Sequence, residues 1–263
     1  MNKKIEFINE KGLTIRGIVH VPKEYETAVV VCHGFPSNHE ANTPKRIARN
    51  LESRGYLVLR FTFSDSYPSD GNFENKLMSN EVNDIKCAID FVYNNFSFKR
   101  LVLFGHSTGA IDSSLYAYKD KRINKLVLSG VVSDLKHAAR YDFSDEQIKS
   151  FWERNYIIYN SPGKWIHRKK LRKKFYDEFF KLNIPKAIKK YNRPLLIIHG
   201  EKDPIIPSWK DPLELYALAN KPKRLVIVKD AGHSYKDIDG TYRNPLPWKR
   251  FISELDAFLR KNK

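Results

Sequence analysis

A run of four apolar residues, Leu101-Val102-Leu103-Phe104, passes straight into Gly105-His106-Ser107-Thr108-Gly109, and helix-forming sequence resumes at residue 110. No other junction constrains the chain as strongly. The run has the length and apolar content of a buried strand. Glycines two places before and two places after the serine permit a tight turn with unusual backbone angles, and they let the next helix pack close to the strand. Strand, turn and helix must meet at a sharp corner. The serine hydroxyl then stands at the sheet edge, near a helix N-terminus.

The rest of the chain repeats this alternation. Short β-branched runs are followed by runs of helical period, the pattern of βαβ units in a mostly parallel sheet. Residues 5–8 and 13–20 flank Asn9-Glu10-Lys11-Gly12 and read as an N-terminal antiparallel hairpin. Further strands are predicted at 28–32, 57–63, 101–104, 126–128, 195–198 and 225–228. Helices are predicted from Thr43-Pro44 to 53, with Thr43 as N-cap, from a Ser79 cap to about 94, and at 110–118, 212–218 and 248–259. The interval 133–191 breaks the rhythm: it is long, aromatic and basic, with no clear strand. It is expected to be a helical cap over the carboxyl edge of the sheet. The predicted division is a core of 1–133 and 191–263 with a cap of 134–190 inserted in it. Within the cap, Leu171, Phe175, Phe179 and Leu182 recur at steps of four, four and three, one face of a helix.

Charge narrows the candidate partners. The chain of 263 residues carries a formal net charge of +17, and residues 164–190 alone hold eleven Lys/Arg against two acids. The simplest account is an amphipathic cap helix with a solvated basic face. Attraction of an anionic substrate or peripheral contact with an anionic membrane is a second account, and the Lys-rich surface of a high-temperature organism a third. No nucleic-acid partner is expected. Cys32 and Cys87 sit in apolar surroundings with no zinc spacing, so reduced core thiols and no metal are expected. Neither a dinucleotide-binding nor a phosphate-binding glycine motif is present, and no cofactor is anticipated. Residues 1–10 lack the apolar stretch of a secretory signal, which gives a cytoplasmic expectation.

A serine hydroxyl needs a base to act as a nucleophile at neutral pH. Of the eight histidines, His233 in Ala231-Gly232-His233-Ser234 falls in the last loop before the terminal helix. That is where the base belongs in the chain order serine, acid, histidine. The base in turn needs an acid to fix its tautomer. Asp203, after the strand at 195–198, is favoured, with Glu201, Asp211 and Asp134 as competitors. Two backbone donors should meet the developing oxyanion. Thr108 follows the nucleophile, and Phe35 lies in His33-Gly34-Phe35, where Pro36 cannot donate. His106 reads as support for the turn. His33, His106, Trp152 and Tyr156 are candidates for the substrate pocket, and Tyr159 and Trp165 add aromatic surface that either lines a pocket or fills the cap.

With these residues in hand, the chain resembles the α/β-hydrolase superfamily over nearly its whole length. Within it, it is similar to small prokaryotic carboxylesterases akin to feruloyl (cinnamoyl) esterases and to serine-aminopeptidase-like hydrolases. The motifs that carry this are His33-Gly34-Phe35, Ser69-Asp70-Gly71-Asn72-Phe73-Glu74-Asn75, Asn80-Glu81-Val82-Asn83-Asp84, Gly105-His106-Ser107-Thr108-Gly109, His199-Gly200-Glu201-Lys202-Asp203 and Ala231-Gly232-His233. The resemblance implies a Ser107–Asp203–His233 triad and an oxyanion hole at Phe35 and Thr108. Two positions depart from the usual pattern: Ser64-Asp65-Ser66-Tyr67-Pro68-Ser69 stands where Arg-Gly-His-Gly-x-Ser is usual, and Thr108 where Gln or Met is frequent. Both bear on substrate preference. The expected activity is cleavage of carboxylic esters, short-chain or aryl, through an acyl-serine. An aminopeptidase, amidase or monoacylglycerol-lipase-like hydrolase is the alternative within the fold. A non-catalytic protein binding anionic partners through the basic cap is the alternative outside it.

Overall fold

The computed structural model describes residues 2–236 and 243–261. In chain order the elements are β1 (Asn2–Ile8), β2 (Thr14–His20), β3 (Thr27–Cys32), α1 (Asn42–Glu52), β4 (Leu57–Phe61), α2 (Met78–Asn95), β5 (Arg100–His106), α3 (Thr108–Ala117) and β6 (Ile123–Ser129). Then follow α4 (Leu135–Asp142), α5 (Asp145–Arg154), β7 (Tyr156–Ile158), β8 (Lys170–Arg172), α6 (Lys173–Glu178), α7 (Ile184–Ile188), β9 (Leu195–Gly200), α8 (Asp211–Leu218), β10 (Lys223–Val228) and α9 (Leu246–Arg260).

Eight of the described strands form one sheet in the order β1-β2-β4-β3-β5-β6-β9-β10. The N-terminal hairpin is antiparallel, as is the β2–β4 pair. Every other neighbour is parallel. The central runs are apolar throughout because both of their faces are covered. Alternate residues go to opposite sides. Val30, Leu59, Leu103, Leu128 and Ile197 pack on one side with Ile85, Ile89 and Ile111 of α2 and α3. Val29, Val31, Val58, Phe104 and Ile198 pack on the other with Ile47 and Leu51 of α1 and Phe251 and Leu255 of α9. Burying each such side chain stabilises the fold by about 1.5–3 kcal/mol. No helix among the described residues is long and apolar enough to cross a membrane.

Three local expectations need correction. Helix α1 starts at Asn42, with Ala41 in the N-cap position and no side-chain cap, so Thr43 lies inside the helix. Ser79 does not cap α2 either. Leu77 holds that position, and the Ser79 amide and hydroxyl donate to the Glu178 carboxylate across from α6. Finally, the segment between β6 and β9 is not wholly helical. β7 and β8 pair antiparallel, with Tyr156 opposite Arg172, and Arg168 turns the chain with φ 61°. Leu171 therefore belongs to a strand, and α6 covers only 173–178. Leu171, Phe175 and Phe179 are nonetheless all buried, because strand and short helix turn the same apolar face inward.

Candidate active site

The carboxyl ends of the parallel strands bring the candidate residues to one edge of the sheet. Ser107 sits between β5 and α3 with φ 56° and ψ −127°, a backbone conformation that L-residues rarely hold. Its neighbours explain how the turn survives. A Cβ on Gly109 would lie 2.5 Å from the carbonyl oxygens of Cys32 and His33, and one on Gly105 would lie 2.6 Å from Ala110 Cα. Only glycine fits at either place. The Ser107 amide donates to the Ser129 carbonyl at 2.8 Å, which ties the turn to the end of β6.

Asp203 and His233 come together from the loops after β9 and β10. His233 Nδ1 and Asp203 Oδ2 are 2.7 Å apart. A carboxylate only accepts, so Nδ1 carries the proton and Nε2 is the bare nitrogen. The amides of Ile205 and Ile206 donate to Asp203 Oδ1 at 2.9 and 3.0 Å. His199 Nε2 lies 3.2 Å from Asp203 Oδ2 and 3.0 Å from the Ile206 carbonyl. Burial pushes the Asp203 carboxyl up, but the hydrogen bonds from His199, His233 and the Ile206 amide outweigh it and hold the group well below its ordinary 3.8. Its competitors are occupied elsewhere. Asp134 caps α4, and Glu201 accepts from the Asp230 amide. Asp211 is buried and takes bonds from Ser133, His137 and Tyr141.

Ser107 and His233 line one cleft of about 170 Å³, together with Gly34, Phe35, His106, Asp142 and Ile205. A second, much smaller space of about 10 Å³ lies on the Thr108 side, walled by Ile111, Val132, Tyr141, Asp142 and Ile206. Among the described residues, neither the Phe35 nor the Thr108 amide donates a hydrogen bond. Both remain open to a developing negative charge. Gly34 brings the first of them close: a Cβ there would stand 2.8 Å from Ser107 Cβ.

The other predicted pocket residues divide. His106 lines the cleft but is structural in its bonding: Nδ1 lies 3.0 Å from Ser129 Oγ, and its ring packs 5.0 Å from the His233 ring. Burial, reinforced by His233, pushes its pKa down to about 3, so it is neutral. His33 is buried beside the Gly34-Phe35 turn. Its Nδ1 donates to the Gly34 carbonyl at 2.8 Å and its Nε2 accepts from the Phe63 amide. Burial lowers its pKa to about 3 as well. Trp152 and Tyr156 line neither cleft. Trp152 is 67% exposed with Lys173 over its ring, and Tyr156 lies under Lys170.

Four residues that sequence reasoning missed complete the site. His199 orients Asp203. Ser129 links His106 to the Tyr235 hydroxyl at 2.8 Å, and Tyr235 donates on to the Ile198 carbonyl at 2.9 Å, fixing the His233 loop to the sheet. Asp142, at the end of α4, borders both spaces beside Ser107, and its carboxyl has no hydrogen-bond partner among the described residues. Burial raises its pKa to about 6 against the opposing pull of His233. The only sequence signal available was a strand-end histidine beside a glycine, for His199.

Comparison with known proteins agrees with this architecture. The family described as serine aminopeptidase, S33 (Hydrolase_4), matches residues 23–178. The protein YfhR of Escherichia coli O157:H7 is 24% identical over 247 residues, spanning 88% of this chain and 73% of YfhR. Est1E from Butyrivibrio proteoclasticus, solved with ferulic acid bound, superposes with a TM-score of 0.79 at 19% identity, covering 98% of this chain and 100% of Est1E. The Pyrococcus furiosus esterase Pf2001 gives a TM-score of 0.74 at 20% identity, covering 99% and 92%. A strained serine turn on a mostly parallel sheet, with the family match running across it, places the chain among the α/β hydrolases, and it belongs to the serine aminopeptidase S33 (Hydrolase_4) family.

Proposed function

We propose that this α/β hydrolase cleaves carboxylic esters of small acids through an acyl-serine at Ser107. The observation that carries the reading is the hydrogen bond between His233 and Asp203: Nδ1–H donates to the carboxylate, which leaves Nε2 the bare nitrogen of a ring lining the cleft that Ser107 shares. In the proposed reaction Ser107 Oγ attacks the carbonyl carbon while its proton passes to His233 Nε2. The carbonyl π electrons move to oxygen, and the Phe35 and Thr108 amides hold that charge. The intermediate collapses, the C–O bond to the alcohol breaks, and His233 returns the proton to the leaving oxygen. Water then repeats the attack on the acyl-enzyme, with its proton going to His233, and releases the acid and free Ser107. The cleft of about 170 Å³ suits small acyl and alcohol groups, since drug-sized ligands fill roughly 300–1,000 Å³. The name of Pf2001 as an esterase supports the same choice.

The test is hydrolysis of p-nitrophenyl acetate and butyrate. Wild type is expected to turn both over, and Ser107→Ala to lose about 10⁴-fold or more in kcat. An inactive wild type, or an active Ser107→Ala, would sink the proposal. One observation favours a second reading. A partnerless carboxylate beside the nucleophile, Asp142, suits the free amino group of an aminopeptidase substrate, the activity in the family's description. Faster turnover of amino-acid p-nitroanilides than of the esters, lost in Asp142→Asn, would select it.

A further inference from the structure

Phe35 belongs to two environments at once. Its backbone follows Gly34 against Ser107, while its partly buried ring packs among aromatic side chains of the cap and of the loop between β4 and α2. There the ring stacks on Phe175 of α6, with centroids 4.8 Å apart, and on Phe73, with centroids 5.9 Å apart and planes within 8°. The edge contact from Tyr159 is at 6.2 Å. Phe175 is itself buried and packs on Phe179 and Phe143. The Phe35 amide has no hydrogen-bond partner among the described residues, and the planar peptide it belongs to is held on its other side, where the Gly34 carbonyl accepts from His33 Nδ1 at 2.8 Å. Amide and ring share one Cα, so the packed ring is a second hold on that peptide, beside the His33 hydrogen bond.

We propose that Phe175 and Phe73 are positioning residues for the Phe35 amide: cap packing, transmitted through the Phe35 ring, sets that donor against Ser107. The inference rests on the acyl-serine reading above, in which the amide stabilises the oxyanion. A cap thereby contributes to the rate as well as to substrate selection. A donor displaced by about 1 Å loses on the order of 10²-fold in rate, and complete loss of one oxyanion donor costs about 10²–10³.

The experiment compares Phe175→Leu and Phe73→Leu with Phe151→Leu. Phe151 is equally buried in the cap's aromatic interior and packs on Tyr176 and Phe143, not on Phe35. Leucine keeps an apolar side chain at each site, so folding is retained better than with alanine. The readouts are melting temperature, kcat and KM for p-nitrophenyl acetate, and the rate at which a fluorophosphonate labels Ser107. Phe175→Leu is expected to lose about 10- to 100-fold in kcat with KM within about threefold, and to label more slowly by a similar factor. Phe73→Leu should show a smaller loss of the same kind. Phe151→Leu should lower the melting temperature comparably and leave kcat and labelling near wild type. If wild type turns over ester and labels while Phe175→Leu matches Phe151→Leu in kcat, the positioning role is overturned and the esterase reading stands. A wild type that neither turns over nor labels sinks both.

Discussion

The strand ends and the cap hold their residues in place by different means. At the strand ends, hydrogen bonds do it: Asp203 accepts from two backbone amides and two histidines, and the His233 loop is pinned through Tyr235 and Ser129. In the cap, ring packing among Phe143, Phe151, Phe175, Tyr176 and Phe179 does it, across the helices α4 to α7 and a three-residue strand pair. Directional bonds fix atoms to tenths of an ångström, which proton transfer requires. Ring packing fixes surfaces, which suffices to shape a cleft. Changes at the strand ends should therefore strike the rate steeply, and changes in the cap should strike it only where a ring reaches back to the core.

The sharpest way to break this contrast is Asp203→Asn. The amide can accept from the Ile205 and Ile206 amides, but its nitrogen would favour the wrong His233 tautomer. A loss of about 10⁴-fold in kcat is expected, with little change in KM. The same substitution has a pH signature. Because the folded-state pKa of Asp203 lies below its ordinary 3.8, its ionised form contributes stability that is present above that value and lost as the pH falls below it. Asp203→Asn should remove this contribution and flatten the acid side of the stability–pH curve in thermal melts. A variant retaining more than a tenth of wild-type kcat would show that hydrogen bonding to His233 is not what organises the site.

This division also explains what the sequence made legible. Val29 and Val31 face one side of the sheet and Val30 and Cys32 the other, so β3 is apolar from Ala28 to Cys32 and readable without knowing its partners. Ser107, Asp203 and His233 each follow such a strand, so their chain order translated directly into spatial order. The cap offers no equivalent. The spacing of Leu171, Phe175, Phe179 and Leu182 satisfies a helix, but Tyr159 pairs through its backbone with Arg168 and Lys169 and draws the first of these residues into a strand. The strand partner of Leu171 is Ile157, 14 residues away, and it leaves no periodic trace. His106, Ser129 and Tyr235 were illegible as a unit for the same reason: their hydrogen bonds join residues separated by up to 106 positions, and no local pattern records them.

A smaller effect sharpens the contrast within the strand ends themselves. His199 touches no proposed reacting atom, yet its Nε2, bonded to the Ile206 carbonyl, lies 3.2 Å from the carboxylate oxygen that holds His233. His199→Ala should lower kcat by about 10- to 100-fold through misplacement of Asp203, with KM nearly unchanged. The test is steady-state kinetics on the ester substrates. An unchanged kcat would mean that the Ile205 and Ile206 amides suffice to place Asp203.

The smallest expected effect comes from the one cap residue that approaches the cleft with a charge. Asp142 has a folded-state pKa of about 6, above its ordinary 3.8, because burial disfavours its ionised form. The sign follows from linkage: its contribution to stability is fully present below about 3.8 and is lost as the pH rises through about 6. Asp142→Asn, which cannot ionise, should therefore melt higher than wild type at pH 7.5, by about 1 kcal/mol or a few degrees, with the gap closing by pH 4. Ester turnover should change by less than about threefold, since the side chain borders the cleft without bonding to Ser107 or His233. A loss of the size predicted for Asp203→Asn would dissolve the contrast, because a cap residue would then be holding a reacting atom in place as the strand ends do.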